Sequence, residues 1–283
     1  MTAPAPSPSP ASGNGRFDAH ASAGAFAWAM RSDPGHVREH NEDFAGGWHA
    51  GQDRGPIFVV ADGLGGHEAG EVASRLAVDA ALADWCAPSQ PPAPQTAIRN
   101  AVRKANLAVF DASIEHGTRG MGTTMVAATL AGREAVIAHV GDSRAYLVHA
   151  DRCTQLTVDH SRVAEMVRMK MLTPEQAAVH PSRSMLTRSL GGDPMVQVDV
   201  SSHPVELGDA LVLCSDGVWD VVSRNELAEA AHEEPRNAAE RVIDLALKRG
   251  APDNATVLVV ALTSSEPVVA ASGRRSLFGR RRS

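Results

Sequence analysis

Apolar residues along this chain collect in short runs rich in branched side chains: Ala25–Met30, Ile57–Ala61, Thr124–Leu130, Ala135–Val140, Ala145–Val148, Val196–Val200, Ala210–Cys214 and Thr256–Leu262. Such runs, bounded by polar or glycine-containing turns, predict strands, and those without polar alternation predict strands buried on both faces. Two intervening segments follow a different period. Val72, Leu76, Ala80 and Ala83 fall at the spacing of one helix face, as do Ile98, Val102, Ala105, Val109 and Ala112. The Pro-rich stretch 87–94 between them predicts two antiparallel helices joined by a loop. Ser223 with Glu226, and Thr173 with Gln176, have the spacing of capping boxes, and Pro235 to Gly250 frames a further helix around Val242, Ile243, Ala246 and Leu247.

Strands and helices do not alternate strictly, which disfavours a doubly wound parallel sheet. The expected class is α+β, with helices covering stacked antiparallel sheets. Asp159–Gly192 interrupts the strand pattern and is rich in Met, Arg and His. It reads as a small helical flap, with Met166, Met169 and Met171 as packing filler and Arg162, Arg168 and Arg183 as surface charge. Residues 1–22, mostly Ala, Pro, Ser and Gly, read as a disordered leader, and residues 264–283 as a flexible basic tail.

The length, 283 residues with 43% apolar content, is enough to bury a full core. The N-terminus lacks the basic and apolar regions of a secretory signal, and no apolar run approaches a membrane span. Cys86, Cys153 and Cys214 show neither disulfide nor zinc spacing. Together these give a cytoplasmic expectation. The net charge is −6, and five arginines lie in the last ten residues, so the folded body is more acidic still and nucleic-acid binding is disfavoured.

Several apolar runs end on carboxylates. Asp62 closes Phe58-Val-Val-Ala-Asp62, Asp216 follows Leu211-Val-Leu-Cys-Ser215, and Asp253 precedes the last run. Acids fixed where core strands surface can converge on hard divalent cations, which take oxygen ligands. Taken singly, each is also an ordinary turn residue. The polar stretch Arg38–Asp43 adds an arginine beside Glu42 and Asp43, and Asp142 sits in a tight turn between two apolar runs. A cysteine phosphatase is excluded because none of the three cysteines has an arginine six positions on, and a P-loop because the chain has no Gly-Lys pair. Gly141-Asp-Ser143-Arg-Ala145 lacks the final glycine of a serine-hydrolase elbow.

These blocks carry a resemblance. REHNED (Arg38–Asp43), VVADGLGGHEAGEVAS (Val59–Ser74), MGTTMVAATL (Met121–Leu130), AHVGDSRAYL (Ala138–Leu147), LTVDHS (Leu156–Ser161), LTRSLGG (Leu186–Gly192), LVLCSDGVWD (Leu211–Asp220) and DNATVLVV (Asp253–Val260) stand in order along the chain. In that order they resemble the bacterial form of the metal-dependent serine/threonine protein phosphatases of type 2C. The resemblance implies a four-layer sandwich of two antiparallel sheets flanked by helices, over residues 23–263, with manganese or magnesium at one end. By position, Asp62 would bridge two ions, Gly63 would offer a carbonyl, Asp216 and Asp253 would complete one set, and Glu42 would serve the other, supported by Asp43. Asp142 with Asp216 matches a third-ion position, and Arg38 would hold the substrate phosphate.

The implied reaction is in-line attack of a metal-bridging hydroxide on phosphoserine or phosphothreonine, with no covalent phosphoenzyme. Leu64 stands where many animal members have a histidine acid, leaving the proton donor open between His67 and a water near Asp142. His139 reads as a satisfied core or edge residue. The implied partners are phosphorylated proteins, including a bacterial serine/threonine kinase, met by a monomer without membrane insertion. The alternative is a pseudophosphatase acting as a regulatory binding module, for which the metal set would be expected to be incomplete.

Overall fold

The computed structural model describes residues 16–23, 25–48, 55–65, 68–87, 92–115 and 120–264. The chain opens with β1 (Phe17–Ala23), β2 (Phe26–Asp33), β3 (Asp43–Trp48) and β4 (Ile57–Leu64). The paired helices α1 (Glu68–Cys86) and α2 (Pro94–Glu115) follow, then β5 (Gly122–Thr123), β6 (Met125–Ala131), β7 (Glu134–Val140), β8 (Arg144–His149) and β9 (Arg152–Gln155). The flap contributes α3 (Arg162–Arg168) and α4 (Pro174–Ala178). The chain then forms β10 (Asp199–Pro204), β11 (Ala210–Cys214), α5 (Asp216–Trp219), α6 (Arg224–Ala231), α7 (Pro235–Lys248) and β12 (Ala255–Leu262).

Two antiparallel sheets stack face to face. One has the order β1-β2-β12-β11-β8-β9 and the other β10-β7-β6-β4-β3, with β5 paired to the end of β4. Helices α1 and α2 cover the second sheet, and α6 and α7 cover the first. Period-two alternation explains why central strands read as wholly apolar. Leu211, Leu213, Leu258 and Val260 face the space between the sheets, whereas Val212, Cys214, Val257 and Val259 face α7. Both layers are apolar, so neither face of β11 or β12 tolerates charge, and carboxylates appear only where these strands end.

Several expectations are corrected. The disordered leader cannot extend to residue 22, because Phe17–Ala23 pairs along its length with β2; residues 1–15 and the basic tail from 265 lie outside the described residues. The strand placed at Val196–Val200 runs instead from Asp199 to Pro204. The face of α1 is turned by one position: Val72 is 47% exposed, and the helix buries Ala73, Ala77, Val78, Ala81 and Trp85. In α2 the expected stripe is the buried one, through Ile98, Val102, Ala105 and Val109. Met169 and Met171 are more than 60% exposed rather than packing filler. Both capping boxes form, Ser223 with Glu226 and Thr173 with Gln176.

Candidate metal centre

The two sheets bring their acidic strand ends to the same edge of the sandwich. Asp62 lies near the end of β4 and is paired in register with Asp43, the first residue of β3. Asp216 follows β11 and opens α5, Asp253 precedes β12, and Asp142 occupies the turn from β7 to β8, where the chain crosses between sheets. Glu42 directly precedes β3. The carboxyls of Asp62 and Asp216 lie close enough to repel one another strongly. Sequence-distant acids therefore meet because strand order places β12 beside β11 in one sheet and β4 beside β3 in the other.

The backbone around these acids is held by hydroxyls. Thr124 donates its N–H to the Asp62 carbonyl at 2.8 Å, and the Thr123 hydroxyl donates to the same oxygen at 2.7 Å. Asp43 is buried and accepts from the Ser215 hydroxyl at 2.6 Å and from Thr256. With its carboxylate engaged this way, Asp43 is placed to orient its neighbours. Gly63 donates its N–H to the Glu42 carbonyl at 3.0 Å. A Cβ at Gly63 would lie 2.2 Å from the Gly70 carbonyl oxygen and 2.6 Å from that of Glu42, so only glycine allows this approach of α1 and the Glu42 loop.

Charge is the central feature. Asp62 is half-buried, and desolvation by the surrounding protein followed by the repulsion of Asp216, Asp43, Asp142 and Asp253 holds its carboxyl well above the usual range. Burial, with Asp216 and Asp159 adding repulsion, pushes Asp142 up to about 7. Asp43 is likewise pushed up to about 7, chiefly by burial and against the hydrogen bonds from Ser215 and Thr256. Burial, then Asp253 and Asp220, raise Asp216 to about 6. Such a cluster of desolvated acids is costly as anions unless cations neutralise it. The donor set is all oxygen, so it suits hard divalent ions such as magnesium or manganese rather than zinc or copper.

Arg38 lies at the exposed rim, with Nη2 donating to Asp253 Oδ2 at 2.7 Å. Sequence reading did not find the residue that organises this rim. Asn254 is 5% exposed; it accepts from the Glu42 N–H at 2.8 Å and donates to the carbonyls of Pro34 and His40, each at 2.9 Å. One side chain thus ties both ends of the Arg38 loop to β12. The flap reaches the same side of the molecule through Arg183, which donates to both Asp220 oxygens at 2.7 and 2.8 Å.

His67, a candidate proton donor, lies outside the described residues. His139 is buried and its Nε2 donates to the Val158 carbonyl at 2.9 Å, as a satisfied interior histidine should. It stacks on His160 with ring centroids 4.6 Å apart and planes 15° apart. Ring nitrogens of this pair lie near Asp199, but near-parallel planes direct their lone pairs along separate lines, and His160 is committed to Gly141 and Asp199. The trio therefore serves as a hydrogen-bonded brace.

Comparison with known proteins gives a consistent result. Residues 28–255 match the family model described as protein phosphatase 2C. The chain is 40% identical over 238 residues to the serine/threonine phosphatase stp of Listeria innocua, covering 82% of this chain and 94% of that one. It is equally 40% identical over 234 residues to the serine/threonine protein phosphatase PstP of Mycobacterium tuberculosis, covering 82% of this chain and 44% of that longer protein. The crystal structure of the Mycobacterium tuberculosis PstP/Ppp phosphatase superposes with a TM-score of 0.76 at 38% identity, over 85% of this chain and all of that one. The PstP catalytic domain in complex with two manganese ions superposes at 0.74 with 36% identity, over 85% of this chain and 99% of that one.

Proposed function

Since the chain belongs to the protein phosphatase 2C family, we propose that it is a protein serine/threonine phosphatase whose acidic strand ends hold divalent ions, manganese or magnesium. The observation that carries this reading is the convergence of Asp62, Asp142 and Asp216 from three separate strand ends on one edge of the sandwich, where burial and mutual repulsion disfavour their anions and bound cations would relieve that cost. When bound, the ions supply Lewis acidity and a water activated near neutral pH for in-line attack on phosphorus.

The chain's own residues set the geometry. Asp62, beside the Gly63 carbonyl, would be the acid common to two ions. Asp216 and Asp253 would complete one ion's set and Glu42 the other's, with Asp43 orienting them. Asp142 and Asp216 would hold a third ion. Arg38 spends one N–H on Asp253, leaving four further donors of its planar fork for the oxygens of a phosphoryl group. Catalysis then rests on positioning and charge stabilisation, with no protein nucleophile.

A phosphorylated protein is the substrate class, and a serine/threonine kinase with its targets is the expected source. A cytoplasmic, monomeric enzyme fits this role, and no helix among the described residues is long and apolar enough to cross a membrane. The binding-module alternative expects a broken acid set, whereas Asp62, Asp216 and Asp253 are all present beside Arg38. Purified protein should release phosphate from a phosphothreonine peptide with manganese or magnesium and not with chelator. Metal-independent release, or none with either metal from folded protein, would refute the reading.

A further inference from the structure

Asp142 and Asp216 come from separate parts of the chain, one in the turn after β7 and the other at the start of α5. Their strands are neighbours, since Arg144 of β8 pairs with Cys214 of β11, but strand pairing alone leaves the turn and the helix beyond it free to diverge. A single side chain joins them. Trp219, the last residue of α5, donates its indole N–H to the Asp142 carbonyl oxygen at 3.0 Å.

The indole is itself pinned. The guanidinium of Arg144 lies 3.5 Å from the centroid of the Trp219 ring, a cation–π contact, and is fixed there by Asp159, which accepts from Nε at 3.0 Å and from Nη2 at 2.7 Å. The far side of the turn is fixed as well. Gly141 donates its N–H to His160 Nδ1 at 3.1 Å, which leaves the His160 proton on Nε2, directed at Asp199. The Ser143 and Thr124 hydroxyls are bonded at 2.7 Å. Gly141 has a φ of +105°, and a Cβ there would sit 2.6 Å from that of Thr124, so the turn has little room to rearrange.

We propose that Trp219 is a positioning residue: its indole N–H locks the Asp142 turn onto the helix that begins with Asp216, holding the two carboxylates together as ligands of a third divalent ion. This rests on the reading of Asp142 and Asp216 as an ion-holding pair. The acceptor of this indole N–H is the carbonyl of the residue that carries the carboxylate, so the bond fixes the backbone from which that carboxylate projects. Partners one step behind a metal ligand commonly change its affinity by about 10- to 100-fold when removed.

Manganese titration of the chelator-stripped full chain by calorimetry, with bound ions counted by electron paramagnetic resonance, tests this on wild type, Trp219→Phe and Asp142→Asn. The phenylalanine keeps the aromatic face for Arg144 and removes only the N–H donor. Trp219→Phe should weaken the weakest site by about tenfold and leave the tighter sites within about twofold. Those tighter sites, which share Asp62 and Asp216, report that the chain is folded. No change at the weakest site, or an equal loss at every site, overturns the role of Trp219. If Asp142→Asn leaves every site unaltered, the third-ion reading itself fails, and the role of Trp219 falls with it.

Discussion

Arg38 donates to Asp253 across 215 residues of sequence, at 2.7 Å, joining the residue assigned to the phosphate with one assigned to a metal ion. Both partners are partly exposed, so this pair adds little stability and is free to exchange for stronger partners. A dianionic phosphoryl group and a divalent ion are such partners, and each would take one member of the pair. Replacing Arg38 by alanine should lower kcat/KM for a phosphothreonine peptide on the order of a hundredfold, as loss of a charge-stabilising donor does. Lysine keeps the charge but not the planar fork and should recover only part of that loss. Steady-state kinetics of the two variants decides this; an alanine variant with unaltered kcat/KM would remove Arg38 from the site.

Asn254 controls the same loop through the backbone. Its three hydrogen bonds to Pro34, His40 and Glu42 are part-buried around a side chain that is itself 5% exposed, so Asn254→Ala removes all three at once. The expected cost is roughly 2–4 kcal/mol in urea denaturation, with weaker manganese binding because Glu42 loses its anchor. Stability within about 0.5 kcal/mol of wild type would show that water takes over these bonds.

Gly70 separates fold from site. A Cβ there would overlap the Glu42 carboxylate, which presses onto α1, so that side chain would have to move. Because the obstruction is the end of a flexible side chain, Gly70→Ala should leave the melting temperature nearly unchanged or raise it, alanine being the better helix former. Manganese affinity should nevertheless fall by about tenfold as Glu42 is displaced. Equal affinity in the variant would mean that Glu42 does not hold an ion in this rotamer.

The metal-free protein should respond to pH in an unusual sense. Burial raises Asp43 and Asp142 from near 3.8 to about 7. The unfolded chain therefore releases these protons first as pH rises, and stability falls between the two values, by up to about 1.4 kcal/mol per pH unit for each carboxyl. His160 opposes this: burial beside His139 lowers it to about 4, so it costs stability as pH drops below 6.5. Asp62 and Asp216 are raised in the same sense as Asp43 and Asp142, while burial lowers His139 and His203 as it does His160; the four acids outweigh the three histidines over this window, and chelator-stripped protein should be more stable to urea at pH 5 than at pH 7. Saturating manganese should abolish or reverse the difference, and a stability that already rises from pH 5 to 7 without metal would contradict the description of the acid cluster.

The parts legible in the sequence are those set by local chemistry. Core strands such as β4, β11 and β12 declare themselves by apolar runs, and an acid at the end of each must surface, so Asp62, Asp216 and Asp253 stand out. Where neighbours decide, the pattern is silent. β3 reads as Asp-Phe-Ala-Gly-Gly-Trp, poor in strand formers, because a Cβ at Gly46 would lie 3.0 Å from Val78 and Leu82 of α1, and one at Gly47 3.0 Å from Trp28. β1 is an edge strand of polar and small residues with no apolar run to betray it. The buried face of α1 is hidden in the sequence because its stripe is mostly alanine, which carries little amphipathic signal. Asn254 and Trp219 resemble ordinary turn and core residues until the fold supplies Glu42 and Asp142 as their partners.

The most direct test is a manganese titration of chelator-stripped protein, wild type beside Asp62→Asn, with phosphothreonine-peptide hydrolysis followed in the same samples. Wild type should bind at least two ions per chain and gain activity in step with their binding. The variant should lose at least one ion and nearly all turnover while remaining folded. Full hydrolysis by wild type in excess chelator, or unchanged metal binding and turnover in Asp62→Asn, would contradict the assignment of this acidic edge as a divalent-metal phosphatase centre.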